Sequence, residues 1–357
     1  MIALTLPAEI VGLDEDVVVR ASLDRAHEAD ALIEQSDAGV LVSSRTARAV
    51  IPGMTVAEME GDVLLLQPAR GVVQRLIRAN SKHNTFLVTE RCDQLCVMCS
   101  QPPKKTHVDM FRHFTAAAML APENATIGLS GGEPTLFKSE LFRFLELCLT
   151  LRPDLSFHVL TNGQHFTEED IDFLSAEATR RILWGVPLYS TAPETHDLLV
   201  GKVGAWEKLM DGLAILCRSG ASIELRTVVM KENVGDLPGL ASFIATHIPF
   251  AAPWAIMQLE NIGFARNRWK DLFVDHSIDF APIAEALDLA RLRGIPATLY
   301  NFPLCTVPTP YRRFAPSTIS DWKRRFEPRC EGCVARNFCG GFFEWHPFDA
   351  SYERIGL

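Results

Sequence analysis

The apolar positions follow two rhythms. Over residues 1–80 they come in short β-branched runs, DVVVRASL, AGVLVSS and DVLLLQP, and each run reads as a strand. RAHEADALIEQ, between the first two, predicts a helix. This segment is expected to form a small N-terminal accessory α+β domain, such as a lid or a dimerisation unit.

From Asn84 the rhythm becomes an alternation of strand and helix. NTFLVTE, ATIGLS, SFHVLTNG, ILWGVPLYS, SIELRTVVM, WAIMQLENI and IPATLYN predict strands. DMFRHFTAAAML, ELFRFLELCLTL, EEDIDFLSAEA, AWEKLMDGLAILCRSG, LPGLASFIATH and DFAPIAEALDLARLRG predict the helices between them, the fourth stopped by Gly220. Such alternation builds parallel βαβ units. Six units and a partial seventh suit an open (β/α)6 partial barrel better than a closed eight-stranded one. In parallel barrels chemistry gathers at the C-terminal strand ends. Cys92, Gly131, Asn162 and Ser190 all fall there, and Arg226 lies within the fifth strand. The expected domains are therefore 1–80, 81–300 for the barrel, and 301–357 for a cysteine-bearing tail.

Composition narrows the class. The chain has 357 residues, 48% hydrophobic and 22% charged, an ordinary globular balance. No apolar run reaches the length of a membrane span, and the N-terminus lacks the basic region of a secretory signal. A cytoplasmic protein without a membrane partner is expected. A formal net charge of −9 disfavours nucleic acid as a partner. Nine cysteines in such a chain point to metal or redox chemistry rather than disulfides. Cys148 and Cys217 lie in apolar helical patterns and read as inert core residues. The other seven fall in two regions.

The first is TERCDQLCVMCSQPPK, residues 89–104, with Cys92, Cys96 and Cys99 spaced C-x3-C-x2-C. Three thiolates do not close a tetrahedral site. They do suffice for three irons of a cubane, leaving the fourth iron open to a ligand. A structural zinc site or three buried cysteines are the alternatives, but a zinc ribbon uses paired C-x2-C knuckles. Ser130-Gly131-Gly132-Glu133-Pro134 follows about thirty residues on. The second region holds Cys305 and then Cys330, Cys333 and Cys339, spaced C-x2-C-x5-C. Four thiolates close one iron–sulfur cluster, or one zinc site of the same ligand set. Gly340 and Gly341 leave room for the backbone to approach such a group. The mixed, mainly basic stretch Asp321–Arg325 reads as a solvated face, or as a dock for an acidic peptide.

The C-x3-C-x2-C spacing and the GGEP element resemble the signature of radical S-adenosylmethionine (SAM) enzymes. The resemblance implies a [4Fe-4S] cluster on Cys92, Cys96 and Cys99, with SAM chelated at its open iron. It implies that Gly131, Gly132, Glu133 and Pro134 hold the SAM amino group. Polar strand-end residues (here Asn162, Ser190 and Arg226) would hold the ribose and the SAM carboxylate. Asn162-Gly163 also reads as a turn, and Arg226 as an ion-pair partner. Met98 stands where the family usually has an aromatic residue before the third cysteine. Gln258 and Glu260 lie near strand six, and no motif assigns them. The tail spacing resembles the auxiliary-cluster regions of SPASM and twitch type, here with one auxiliary [4Fe-4S] cluster and Cys305 as its first ligand. The 1–80 segment has the size of the leader-peptide recognition domains of peptide-modifying enzymes.

VTERCDQLCVMCSQPPK, GGEPT, and TISDWKRRF ahead of CEGCVARNFCGGFF together resemble the radical SAM maturases of the His-Xaa-Ser repeat system. That implies reductive SAM cleavage to a 5′-deoxyadenosyl radical and hydrogen abstraction from a ribosomally made peptide. The outcome would be an oxidative modification such as a crosslink. It also implies a small peptide or His-Xaa-Ser repeat protein as substrate, a flavodoxin or ferredoxin as electron donor, and a second maturase as a further partner. A weaker similarity links the barrel to the deazaguanine-forming members, which act on small molecules. A non-catalytic metal-binding peptide scaffold is the reading from another class.

Overall fold

A computed structural model describes residues 3–251, 253–348 and 352–353. Strands β1 (Thr5–Pro7), β2 (Glu9–Val11), β3 (Val17–Ser22), β4 (Asp30–Ser36), β5 (Gly39–Ser43), β6 (Arg48–Ile51), β7 (Val63–Gln67) and β8 (Val72–Ile77) form one sheet in the order β1-β8-β7-β3-β4-β5-β6-β2. Its two ends, β1 and β2, are consecutive pieces of one segment interrupted only at Ala8, whose N–H still bonds the Gly71 carbonyl. The sheet therefore closes into a small barrel, which removes free edges. Ala21, Ile33, Val40, Val42, Ile51, Leu64 and Leu66 fill it.

This corrects the expected α+β domain. Residues 30–35, read as part of a helix, are strand, and the single α-helix among the described residues here, α1 (Val56–Met59), is one turn long. The helix-forming composition of ALIEQ is overridden by tertiary pairing, since β4 lies between β3 and β5. Ala31 and Ile33, two apart, go to the core. Asp30 is buried with its carboxylate on Arg20, at 2.8 Å, and on the His27 N–H.

The second sheet is wholly parallel, in the order β15-β14-β13-β12-β11-β10-β9. Its strands are β9 (Asn84–Thr89), β10 (Thr126–Gly131), β11 (Ser156–Leu160), β12 (Ile182–Pro187), β13 (Ser222–Val229), β14 (Trp254–Gln258) and β15 (Ala297–Tyr300). The end strands do not pair, so this is the open partial barrel that the alternation predicts. Outside it lie α2 (Phe111–Met119), α3 (Lys138–Leu151), α4 (Ile171–Ser175), α5 (Pro193–Val200), α6 (Ala205–Ser219) and α7 (Leu237–His247). The short α8 (Phe264–Asn267) and α9 (Trp269–Leu272) follow β14, and α10 (Ala281–Leu292) leads into β15. α5 was not foreseen. Cys148 is buried as expected, but Cys217 is exposed. It falls off the Leu209–Leu213–Leu216 stripe by which α6 meets the sheet.

After β15 the chain runs through short 3-10 turns into a two-residue hairpin, β16 (Arg324–Arg325) with β17 (Phe342–Phe343). Two ion pairs are among the contacts that tie this tail back. Arg78, in the segment joining the sheets, pairs with Asp321 at 2.8 Å, and Lys323 reaches Glu260 after β14 at 3.6 Å. Among the described residues no helix is long and apolar enough to cross a membrane.

Candidate active site

β9 ends at Thr89 and delivers the chain into the Cys92–Cys99 loop. Beside it β10 ends in Gly131 and Gly132, and the geometry explains both glycines. A Cβ on Gly131 (φ +146) would lie 2.0 Å from the Thr89 carbonyl oxygen, and one on Gly132 would lie 2.0 Å from that of Arg91. With no Cβ there, the Gly132 N–H bonds Thr89 O and the Glu133 N–H bonds Arg91 O, both at 2.7 Å. GGEP thus extends the parallel pairing past the strand and fixes the entry of the cysteine loop. The other side of the loop is also pinned. Leu95 and Val97 donate their N–H groups to Val200 O and Leu199 O at the end of α5, and the Phe264 N–H bonds Cys99 O.

The three thiols border a cavity of about 270 Å3 at the strand ends. Met98, Gly131, Gly132, Glu133, Asn162, Arg226, Gln258 and Glu260 border it too. Burial pushes the Cys92 thiol up to about 11 and the Cys96 thiol up to about 12, so metal loading must displace protons here. Glu133 is 1% exposed. Burial raises its pKa, opposed by hydrogen bonds from the Thr135 and Thr161 hydroxyls and the Thr135 and Asn162 N–H groups. Its carboxylate therefore ties the GGEP turn to the end of β11 as well as facing the cavity. Pro134 does not border the cavity. It opens the 3-10 turn Pro134–Phe137.

The strand-end residues divide. The Asn162 side chain lines the cavity, but its amide donates to Asp93 at 2.8 Å and its oxygen accepts from the Gln164 N–H. Arg226 faces the cavity while pairing with Glu224 and lying 5.8 Å over the Tyr300 ring. Ser190 corrects the sequence reading. It is buried, its hydroxyl donates to Asp236 at 2.8 Å, and it does not reach the cavity. The reason is the turn after β12, where Asp236 also takes the Thr191 N–H and hydroxyl.

Asp93 is the residue sequence reasoning missed. Its carboxylate gathers Lys202, His165 (3.3 Å) and Asn162, binding the cysteine loop to the β11 end and to the turn after α5. Burial alone would raise its pKa, but His165 and Lys202 hold it well below the usual carboxylate range. Its place directly after Cys92 was the one available signal. Its partners, 72 and 109 residues on, left none.

In the tail, Cys305, Cys330 and Cys339 come together. Burial pushes the Cys305 thiol up to about 11, and the neighbouring Cys339 and Cys330 thiols add to the rise. Cys339 Sγ accepts the N–H groups of Leu304 at 3.4 Å and Gly341 at 3.3 Å. The Cys333 N–H closes a turn on Cys330 O. Among the described residues no three His, Cys, Asp or Glu side chains converge closely enough to hold a single metal ion. The ligands of a cluster sit on separate irons and need not converge so.

Both donor sets fit thiolate-held clusters. At the cavity, buried amide atoms of Gln94 (Nε2) and Gln258 (Nε2 and Oε1) have no protein partner, which suits a polar ligand beside the first thiols. Residues 86–244 match the model of the radical SAM superfamily. The matched span runs from β9 through α7, and over it the barrel resembles a radical SAM domain. Members of that superfamily are enzymes, and they use a [4Fe-4S] cluster and SAM. The chain is 28% identical over 185 residues to the AdoMet-dependent heme synthase of Methanosarcina barkeri, 46% of this chain and 49% of that one. It is 29% identical over 130 residues to a cysteine-type anaerobic sulfatase-maturating enzyme of Clostridium novyi, 34% of each chain. These matches span half or less of those relatives. SuiB of Streptococcus suis, solved bound to S-adenosylmethionine, shares the fold at a TM-score of 0.50 and 14% identity, over 62% of this chain and 51% of that one.

Proposed function

We propose that this chain is a radical SAM maturase that oxidatively modifies a ribosomally made peptide, of the kind found in the His-Xaa-Ser repeat system. The observation that carries the proposal is the shared cavity. Three thiols of one loop, the Gly131–Glu133 strand end, Gln94 with its unpartnered Nε2, and the unpartnered amide of Gln258 all border it. When bound, a [4Fe-4S] cluster and SAM supply one-electron cleavage of SAM and a radical that abstracts hydrogen.

The chain's own residues have definite parts in this reading. Cys92, Cys96 and Cys99 hold the cluster. Glu133 and the strand end at Gly131 and Gly132 receive the SAM amino group, in a turn that Pro134 shapes. Gln94, Gln258 and Glu260 wall the cavity against water. Arg226 presents its guanidinium, braced by Glu224 and Tyr300, to a carboxylate. Asn162 acts mainly through Asp93. Cys305, Cys330, Cys333 and Cys339 hold one auxiliary cluster that takes up or passes on an electron. A flavodoxin or ferredoxin supplies reducing equivalents, and a second maturase is a further partner.

The maturase named among the relatives supports a peptide substrate. One observation favours a small-molecule substrate instead, namely the heme synthase and GTP 3′,8-cyclase among the same relatives. The deciding experiment is 5′-deoxyadenosine release from SAM by the reduced, reconstituted protein, with and without a His-Xaa-Ser repeat peptide. Mass analysis of the peptide completes it. Abortive SAM cleavage that the peptide neither speeds nor couples to a mass change would overturn the peptide reading. No cleavage at all would overturn the enzyme.

A further inference from the structure

The tail carries a surface that the chemistry above does not use. Val334 is 89% exposed and Phe338 is 75% exposed, both inside the loop that carries Cys330, Cys333 and Cys339. Phe338 directly precedes Cys339, whose sulfur accepts two backbone N–H groups. On the same segment two guanidinium groups lie over the Phe326 ring, Arg324 at 5.4 Å and Arg336 at 5.2 Å from its centroid. Arg324 Nη1 also donates to the Ser317 hydroxyl at 3.3 Å. Neither arginine forms an ion pair among the described residues. Arg325 and Arg329, by contrast, share Glu327. The chain as a whole is acidic, at −9, yet residues 309–340 hold seven Lys or Arg against three Asp or Glu.

We propose that this face, Arg324, Phe326, Val334, Arg336 and Phe338, is the docking surface for an acidic one-electron carrier protein. The inference rests on the reading of the tail as a cluster site. Three observations select that partner. Exposed apolar side chains rimmed by cations match a protein patch rimmed by carboxylates. Two ring-held guanidinium groups are too few for a nucleic-acid backbone, which needs an extended basic stripe. The patch also lies on the metal-bearing loop itself, so a carrier seated there reaches the thiolates through Phe338 and Cys339. In the step served, the reduced carrier loses one electron and the cluster on the tail thiolates gains it. No bond forms or breaks. A rival apolar patch, Leu95, Leu198 and Val203, flanks the first cysteine loop and lacks the uncompensated arginines.

The test uses the iron–sulfur-reconstituted full chain with two probes, a purified flavodoxin and an acidic [2Fe-2S] ferredoxin. Calorimetry measures binding at low and high salt, and stopped-flow measures reduction of the tail cluster by the reduced carrier. Binding that weakens with salt is expected. An R324E/R336E double variant of wild-type iron content should bind roughly tenfold more weakly. F338S should slow reduction of the tail cluster, and L198E should leave binding unchanged. Dithionite-driven SAM cleavage is the separate control. Its failure strikes the proposed enzyme, while the binding result strikes only the docking surface. Four results overturn the surface: no binding of either carrier, equal binding by the arginine variant, loss of binding in L198E instead, or a polyglutamate peptide that binds as tightly as the carriers. The last would make this face a dock for an acidic peptide.

Discussion

The Cys92–Cys99 loop and the tail thiols are held by different means. The first loop is laced into strand ends by backbone pairing, through two glycines that no other residue can replace, and is tied down by the half-buried Asp93–Lys202–His165 group. Cys305 and Cys330 sit on short 3-10 turns, and the tail is braced by rings, guanidinium groups and backbone N–H donors to the Cys339 sulfur. A parallel barrel sets its strand ends rigidly, so geometry there is inherited from the fold. The tail has no such frame, and its side chains must build the geometry themselves. The first site should therefore fail all at once when broken, and the second by degrees.

The largest effect expected is that of Cys96→Ala. Three ligands leave no spare thiolate, so the first cluster should be lost as a unit while the tail keeps its own. Iron should fall by about half, with 5′-deoxyadenosine formation abolished. Normal SAM cleavage at full iron content would remove this loop from the chemistry.

Gly132→Ala comes next. The new methyl group would meet the Arg91 carbonyl at 2.0 Å, and backbone on backbone leaves nothing to swing aside. The Gly132 and Glu133 N–H bonds to the loop should break, at a cost of about 1–3 kcal/mol each if left unsatisfied. SAM affinity should fall at least about tenfold, read by equilibrium dialysis, with the tail's spectrum unchanged. An unaltered SAM affinity would show that the loop is not positioned by strand pairing.

For the tail, Cys305→Ala should convert rather than erase the auxiliary cluster. Cys330, Cys333 and Cys339 remain, and a three-ligand cluster with an altered electron paramagnetic resonance signal is the expected product. Peptide product should drop while unproductive SAM cleavage persists. An unchanged auxiliary signal would take Cys305 out of the site.

What the sequence made legible follows the same division. The barrel could be read because strand and helix rhythms differ in period, and the first cysteines because their spacing is local. Gly131 and Gly132 were legible as a motif, though their cause, the carbonyls of Thr89 and Arg91, was not. Asp93 and Ser190 show the limit. One ties the cysteine loop to the barrel and the other turns away from the cavity, because of partners at Lys202 and Asp236 that no local pattern reveals. In the N-terminal barrel, residues 30–35 misled because helix propensity is a weak prior against strand pairing on both sides.

The smallest effect concerns acid, and it distinguishes the two regions without touching a cysteine. Each leans on buried neutral histidine. His196, in α5, accepts the Tyr189 N–H and is held by burial down at about 4, under the carbonyls that receive the cysteine loop. Two such groups bear on the tail, one of them, His276, from the segment before α10. His276, hydrogen-bonded to Thr306 at 2.7 Å, is held by burial down at about 3, and His346, among Trp269, Phe342 and Tyr352, at about 4. The unfolded chain takes up protons near pH 6.5, while the native one resists until pH 4 or 3. The stabilisation is thus complete above about pH 6.5 and is lost progressively as the pH falls toward those values. Down to pH 5, each histidine accounts for about 2 kcal/mol of that loss. With two such groups against one, the tail should loosen first. Hydrogen exchange on the loaded protein at pH 7.5 and 5, corrected for intrinsic rates, should show peptides from 304–348 losing protection before those from 193–200. Equal loss in the two segments would mean that the barrel frame and the tail share one unfolding unit, and the contrast between the sites would then be one of ligand geometry alone.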